Sequence, residues 1–212
     1  MIRILCFGDS NTYGYKPDGS GRFDENIRWT AKLQRKFGEN IKIIEEGLCG
    51  RTTIFDDVLR DGRKGLEFVG TLVETHNPID IFVVMLGTND CKTRYKASAR
   101  LIAKGMEQVI KKAQLKASKE MKILMISPIY LGHGVGEEGY DMEFDEHSEQ
   151  VSVKLAAEYE KIAKENQYYF LDASKYADPS VTDREHLDEI GHEKLAEAIY
   201  EKLVEIGYVD ER

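Results

Sequence analysis

Five short apolar runs, separated by segments with a helical repeat, constrain the fold of this chain more than any other feature. The runs are Ile2 to Phe7, Ile41 to Ile44, Ile79 to Leu86, Lys122 to Ile126 and Tyr168 to Leu171. Because each run is apolar throughout rather than alternating, each is typical of a strand that is buried on both faces. Strands that alternate with helices predict a parallel sheet with helices on both faces and right-handed crossovers.

The segments between the runs carry the apolar spacing of helices. This spacing is clearest over 102–113, 151–162 and 195–206, and weaker signals cover about 27–37 and 60–75. Asp188 stands where an N-cap is expected before the last helix, and Gly207 follows the final apolar residue of that helix. The last helix is therefore predicted to begin just after His186.

The composition indicates one soluble domain over residues 1–212, since 42% of the residues are hydrophobic and suffice for a sizeable core. The formal net charge is −8 and the acidic residues are spread along the chain, so a nucleic acid partner is not expected. No apolar run approaches the roughly 18 residues of a membrane span, so no membrane partner is expected. The first residues lack the pattern of an export signal, which favours a cytoplasmic location.

One segment, from Tyr130 to Glu146, fits neither a strand nor a helix. It contains four glycines and several acids, which makes it too polar for a core and too long for a tight turn. It is predicted to be a mobile surface loop inserted into the domain.

Polar turns follow three of the predicted strands. Gly8-Asp9-Ser10 follows the first run, residues 47–53 follow the second and residues 87–90 follow the third, while residues 183–186 precede the last helix. The carboxyl ends of parallel strands share one edge of a sheet, where ligands bind, so the four segments are expected to converge. Taken singly, each is more typical of an ordinary turn or cap.

Together these segments supply the groups that acyl transfer needs. A serine hydroxyl must lose its proton to a base, and His186 is the candidate base for Ser10. Asp183 stands three residues earlier, where a local turn would bring its carboxylate to the other ring nitrogen. The backbone N–H groups of Ser10 and Gly50 and the side-chain amide of Asn89 are candidate donors to the developing oxyanion.

The same segments resemble the sequence blocks of the SGNH, or GDSL-type, hydrolases: the GDS at 8–10, the glycine at 50, the G-x-N-D at 87–90 and the D-x-x-H at 183–186. Within that superfamily the sequence is most similar to a bacterial arylesterase and acyltransferase group. The similar stretches are ILCFGDS, RWT at 28–30, IEEGL and RTT within 44–53, and MLGTND at 85–90. The resemblance extends in order over nearly the whole chain.

The resemblance implies a flavodoxin-like three-layer α/β/α sandwich with a five-stranded parallel sheet. It implies that Ser10 is the nucleophile, that Ser10, Gly50 and Asn89 form the oxyanion hole, and that Asp183 and His186 complete a triad. It further implies hydrolysis of small-molecule esters with no metal and no cofactor. Related arylesterases form homo-oligomers, so self-association is expected here, and segment 130–146 is a place to look for it.

Four residues are candidates to line a substrate pocket. Asn11 replaces the usual leucine after the nucleophile and places a polar side chain near the entrance, which weakens the expectation of acyl transfer in water. Tyr13 and Trp29 are candidates for an acyl or aryl pocket, with core packing as the alternative for both. Cys49 precedes Gly50 and is expected to be a packed thiol rather than a reactive one. His192, by contrast, is expected at the surface.

Other functions remain open at this point. A carbohydrate O-deacetylase would use the same residues, because an oxyanion hole recognises the carbonyl and not the alcohol. A flavodoxin-like module that binds phosphate or flavin is a second alternative, although the chain has neither a P-loop nor a G-x-G-x-x-G fingerprint. A degenerate hydrolase that serves as a scaffold is a third, and the intact Ser10, Asp183 and His186 argue against it.

Overall fold

Five parallel strands form the centre of the computed structural model, which describes residues 1–207. They are β1 (Ile2–Gly8), β2 (Ile41–Gly47), β3 (Ile81–Met85), β4 (Lys122–Ser127) and β5 (Tyr169–Asp172). Their order in the sheet is β2-β1-β3-β4-β5. Gly8 pairs with Gly47 of β2 and with Met85 of β3, so the three strands end level at one edge. The predicted parallel sheet is confirmed.

Helices cover both faces of this sheet. The α-helices within residues 1–207 are α1 (Ser10–Tyr13), α2 (Trp29–Phe37), α3 (Gly65–His76), α4 (Ala99–Lys116), α5 (Glu146–Asn166) and α6 (Glu189–Glu205). Helices α3, α4 and α5 pack on one face, and α2 and α6 pack on the other. The result is the predicted flavodoxin-like three-layer sandwich. Of the helices described, none combines the length and the apolar character that crossing a membrane requires.

The apolar runs are explained by two separate cores. In β1, Leu5 and Phe7 belong to the core beneath α3, α4 and α5, whereas Ile4 and Cys6 belong to the core beneath α2 and α6. All four side chains are buried. Because successive residues of a strand point to opposite faces, a strand covered on both sides needs apolar residues at every position. Full burial of a side chain such as Leu5 contributes roughly 1.5–3 kcal/mol to stability.

One helix begins later than predicted. The pattern over about 60–75 gives a helix only from Gly65, because the preceding residues bond to the loop after β2 instead. Thr52 N donates to Arg63 O at 2.9 Å, and Gly65 N donates to Thr52 O at 2.9 Å. Arg63 Nε also donates to Cys49 O at 2.9 Å. These contacts tie residues 60–64 to the loop that carries Gly50.

The structure confirms where the last helix was predicted to begin and to end. Asp188 is the N-cap of α6, and its Oδ1 accepts the backbone N–H of Gly191 at 2.7 Å. A side-chain oxygen in this position satisfies one of the unpaired N–H groups of the first turn. Gly207 follows the helix with φ +79°, the left-handed conformation that glycine adopts without strain.

The expected surface position of His192 is wrong. Its side chain is fully buried on the inner face of α6, and its Nδ1 accepts the backbone N–H of Trp29 at 3.4 Å. The ring of Phe23 meets the imidazole edge-on, with 5.4 Å between ring centroids. Burial lowers the pKa of His192 to about 4. This histidine is therefore a neutral core residue at neutral pH.

Segment 130–146 is irregular up to the start of α5, as its composition predicts, but it is not wholly a surface loop. Leu131, Val135 and Phe144 are buried in the core beneath α3, α4 and α5. Gly132 N donates to Arg184 O at 2.7 Å, which joins the segment to residues 183–186. Its apolar residues are too widely spaced to show a strand or helix period, so the sequence pattern did not reveal them as core.

Candidate active site

A cleft of about 450 Å³ opens where the strand order reverses, between β1 and β3. Open α/β sheets bind ligands at this position, and the volume lies within the roughly 300–1,000 Å³ that is usual for ligand pockets. The loops after β1, β2 and β3 contribute Ser10, Gly50 and Asn89 to its lining, and the turn before α6 contributes Asp183 and His186. The structure thus brings together all five residues that the sequence analysis assigned to one site.

Three of these side chains form a continuous series of hydrogen bonds. Ser10 Oγ lies 2.8 Å from His186 Nε2, and His186 Nδ1 lies 2.6 Å from Asp183 Oδ2. A carboxylate only accepts hydrogen bonds, so Nδ1 must carry a proton to bond with Asp183. In neutral imidazole Nε2 is then free to accept the Ser10 hydroxyl proton. This arrangement can activate a serine for attack on a carbonyl carbon.

The turn from Asp183 to His186 is held by the same carboxylate. Asp183 Oδ1 accepts the backbone N–H groups of Glu185 and His186, each at 3.0 Å. Arg184, which lies between Asp183 and Glu185, has φ +62°, a left-handed conformation that is uncommon outside glycine. The Arg184 side chain donates to Gly134 O at 2.8 Å and contacts Glu137 Oε2 at 2.8 Å. These bonds fix the turn and so fix the direction of the His186 ring.

The charges around His186 favour its protonated form. Burial of the imidazole would lower its pKa, but the carboxylates of Glu185, Asp183 and Asp9 outweigh burial and raise the pKa above its usual value. An imidazole whose pKa is raised is a stronger base toward the serine hydroxyl. The Tyr15 ring packs beside it, with 4.8 Å between ring centroids.

Asp9 holds the turn that carries Ser10. It is the N-cap of α1, and its Oδ1 accepts the backbone N–H of Asn11 at 3.1 Å. The Asp9 side chain is completely buried, and burial raises its pKa to about 7. Its backbone carbonyl accepts the N–H of Tyr13 at 2.9 Å. Ser10 is therefore presented on a short, hydrogen-bonded turn at the end of β1.

Two candidate oxyanion donors lie on neighbouring loops. Gly50 has φ +80°, a left-handed conformation that glycine adopts without the strain a side chain would bring. Asn89 Nδ2 donates to Arg51 O at 3.2 Å. An amide nitrogen carries two N–H groups, so Asn89 has a second one for a ligand in the cleft.

Asp90 connects the loops that carry Gly50 and Asn89. Its two carboxylate oxygens accept the backbone N–H of Thr53 at 2.9 and 3.0 Å, and one of them also contacts the Thr53 hydroxyl. The side chain is fully buried, and burial raises the pKa of Asp90 to about 6. The aspartate of the Asn-Asp pair therefore positions the loop that carries Gly50.

The four predicted pocket residues divide into two groups. Cys49 lines the cleft. Among the described residues, Asn11, Tyr13 and Trp29 are not part of its lining, which corrects that expectation. Asn11 is buried, and its Oδ1 accepts the backbone N–H of Leu187 at 2.8 Å, so it braces the His186 turn instead. Trp29 Nε1 donates to Asn11 O at 3.0 Å, and the Tyr13 ring lies 4.5 Å from the Arg22 guanidinium.

Several cleft residues were not found from the sequence. They are the aromatic Tyr15 and Tyr140 and the charged Arg60, Lys92, Asp141, Glu143 and Glu185. Lys92 is almost fully buried and contacts Glu143, and burial lowers the pKa of Lys92. Arg60 Nε donates to Asp57 at 3.2 Å. Charged residues within loops carry no periodic signal, so only the tertiary structure shows that they face one cleft. In residues 1–207 no group of three or more histidine, cysteine and acidic side chains is arranged to hold a metal ion.

Comparisons with known proteins agree on one kind of relative. The model of the GDSL-like lipase/acylhydrolase family matches residues 6–194. The solved structure of an aryl esterase from M. smegmatis is 31% identical, covers 97% of this chain and 99% of its own, and has a TM-score of 0.91. That of a carbohydrate acetylesterase from Sinorhizobium meliloti is 27% identical, covers 97% of this chain and 100% of its own, and has a TM-score of 0.91. No curated protein sequence matches the chain.

Proposed function

The chain belongs to the GDSL-like lipase/acylhydrolase family and is a carboxylic ester hydrolase, and we propose that it hydrolyses short-chain acyl or aryl esters with Ser10 as nucleophile. The observation that carries this proposal is the hydrogen-bond series from Ser10 through His186 to Asp183, with distances of 2.8 and 2.6 Å. A serine hydroxyl is a weak nucleophile unless a base lies within hydrogen-bond reach, and His186 lies there.

The first half of the proposed reaction transfers the acyl group to the protein. Ser10 Oγ attacks the ester carbon while His186 Nε2 takes the hydroxyl proton. Asp183 stabilises the resulting imidazolium, which then gives the proton to the leaving alcohol as the carbon–oxygen bond breaks. The second half repeats these steps with water as the attacking group and frees Ser10. Acyl transfer occurs when an alcohol replaces that water.

The oxyanion of each tetrahedral intermediate needs donors that are already in place. We assign this role to the backbone N–H groups of Ser10 and Gly50 and to the side-chain amide of Asn89. Asp90 joins the loops of Gly50 and Asn89, and Asp9 holds the turn of Ser10, so the donors do not have to be ordered during the reaction. Arg60 packs against Gly50 and adds a positive charge near the same position.

Replacing Asn89 by alanine is expected to lower kcat for p-nitrophenyl acetate by about 10²- to 10³-fold, because one of three donors to the oxyanion is lost. The exposed Asn26 provides the matched control, and Asn26→Ala should leave kcat unchanged. Thermal unfolding of both variants separates catalysis from the loss of the Asn89 bond to Arg51. A kcat within about twofold of the parent would remove Asn89 from the oxyanion hole.

A specific observation also favours carbohydrate esters as substrates. The cleft combines two tyrosine rings with cationic and anionic side chains, among them Arg60, Lys92 and Glu143. Charged side chains can bond to the several hydroxyls of a sugar, and aromatic rings pack against its apolar faces. A long apolar acyl chain would instead have to displace water from these charges at a cost in free energy. We therefore propose small acyl groups on polar alcohols as the preferred class.

A substrate panel tests this proposal. We expect turnover of p-nitrophenyl acetate, a preference of at least about tenfold over the octanoate in kcat/KM, and release of acetate from acetylated xylose. Equal or higher activity with the octanoate would contradict the small acyl group. Failure to hydrolyse any ester in the panel would contradict the proposed function.

A further inference from the structure

Glu185 is a buried carboxylate that the steps above do not use. Only 8% of its side chain is exposed, and it lines the active-site cleft. The backbone of Glu185 is held, since its N–H donates to Asp183 and its carbonyl accepts from Asn11. The carboxylate itself accepts no hydrogen bond from any residue between 1 and 207. A buried carboxylate that accepts no hydrogen bond is costly, so this one is suited to a hydrogen-bond donor on a ligand in the cleft.

The Glu185 carboxylate lies close to the nitrogen of His186 that acts as the base in the proposed reaction. Glu185 Oε1 lies 3.8 Å from His186 Nε2, the ring nitrogen that faces Ser10. This distance is too long for a hydrogen bond, but an oxygen placed about 2.8 Å from both atoms would bond to the two together. Burial raises the pKa of Glu185, while the positive charges of His186 and Lys92 act in the opposite direction.

The state of Ser10 determines when that position is free. In the unreacted protein the Ser10 hydroxyl is hydrogen-bonded to His186 Nε2 at 2.8 Å. In an acyl-enzyme Ser10 Oγ is part of an ester and has no proton to donate, so Nε2 becomes available to another O–H group. The attacking molecule of the second half-reaction must bind at Nε2 for its proton to be removed.

We propose that Glu185 holds and orients the water that attacks the acyl-enzyme, an inference that rests on the proposed serine mechanism. One O–H of the water donates to His186 Nε2 and the other donates to Glu185 Oε1. The water oxygen then forms a bond to the acyl carbon while Nε2 takes the first proton. As the bond from that carbon to Ser10 Oγ breaks, Nε2 returns the proton to Oγ, and the carboxylic acid leaves. Glu185 accepts a hydrogen bond throughout and takes no proton.

The same geometry selects between acceptors. A simple alcohol has one O–H group, which it must donate to Nε2, so it has none left for Glu185. Water has two, and so does a molecule with two neighbouring hydroxyls. Glu185 therefore favours hydrolysis over transfer to simple alcohols, and its removal should shift the balance toward transfer.

The test compares three variants acting on p-nitrophenyl acetate with and without 1-butanol. Glu185→Met keeps a side chain of similar length without an acceptor, and Glu185→Gln keeps a neutral acceptor. The exposed Glu120→Gln controls for the loss of one negative charge, because Glu120 lies outside the cleft lining and far from the turn that carries His186 in the sequence. The ratio of butyl acetate to acetate is measured, and the burst of p-nitrophenol gives the acylation and deacylation rates separately. The product ratio does not depend on the fraction of folded protein.

For Glu185→Met we expect slower deacylation by water and a product ratio raised about tenfold to a hundredfold, the factor that one lost hydrogen bond to a charged group is worth. Glu185→Gln should lie between Glu185→Met and the parent, and Glu120→Gln should match the parent. An unchanged ratio in Glu185→Met, with both half-reactions slowed alike, would overturn the proposal and make Glu185 a structural residue of the turn. Parent protein that forms no acyl-enzyme would instead contradict the serine mechanism itself.

Discussion

Replacing Ser10 by alanine is expected to lower kcat for p-nitrophenyl acetate by about 10⁶-fold, the loss seen when a serine hydrolase loses its nucleophile. The physical reason is that no other hydroxyl in the described structure bonds to His186 Nε2, so without Ser10 the base has nothing to activate. What remains is the weak catalysis that the oxyanion donors and substrate binding supply. Initial rates at saturating ester provide the measurement.

A covalent probe makes the same comparison without a substrate. A fluorophosphonate should label the parent once, with the added mass on the peptide that contains Ser10, and should leave Ser10→Ala unlabelled. The exposed Ser118 offers a matched control, since Ser118→Ala removes a serine outside the cleft. Labelling of Ser10→Ala at the parent's rate would mean that the nucleophile is another residue.

The second large effect distinguishes the two histidines of the C-terminal region. His186→Ala should lower kcat by about 10⁶-fold, as far as the loss of the nucleophile, because serine and base act as one unit. His192→Ala should instead lower stability by about 1–3 kcal/mol, since it empties a buried site next to Phe23 and leaves the Trp29 N–H without its partner. Its kcat per folded molecule should stay close to that of the parent.

Urea unfolding and active-site titration together separate these outcomes. The titration counts competent sites, so kcat can be expressed per site even where a variant is partly unfolded. If His192→Ala lost as much kcat per site as His186→Ala, the assignment of the base to His186 would be wrong. If His186→Ala unfolded at much lower urea while retaining kcat per site, its role would be structural.

Most of the fold could be predicted because the sheet is covered on both faces. That arrangement demands apolar residues at every strand position, and β1 satisfies it through Ile4, Leu5, Cys6 and Phe7. The start of helix α3 could not be predicted from the sequence. Its apolar pattern extends back to about residue 60, yet the backbone bonds between Thr52 and Arg63 delay the helix to Gly65. A contact between distant loops leaves no period in the local sequence.

The residues of the site also fall into those that could be predicted from the sequence and those that could not. Ser10, Asp183 and His186 could be predicted because the proposed chemistry needs particular residue types in the loops at one edge of the sheet. Glu185 was not, because only the direction of its side chain in the folded turn brings it near His186. His192 could have been recognised, since it lies three residues before Leu195 and seven before Ile199, on the apolar face of α6. The prediction was wrong because it followed the polarity of the side chain, although the helical period places residue 192 on the buried face.

The proposed nucleophile Ser10 and the proposed base His186 are separated by 176 positions in the chain. During synthesis the alcohol leaves the ribosome long before the imidazole, so the nascent chain carries a serine with ordinary, low reactivity. Contacts of such long sequence separation form late, because the loop entropy must be overcome first. The serine is therefore expected to become reactive only at the end of folding. Covalent labelling of Ser10 would report that the turn after β1 and the turn before α6 are in contact.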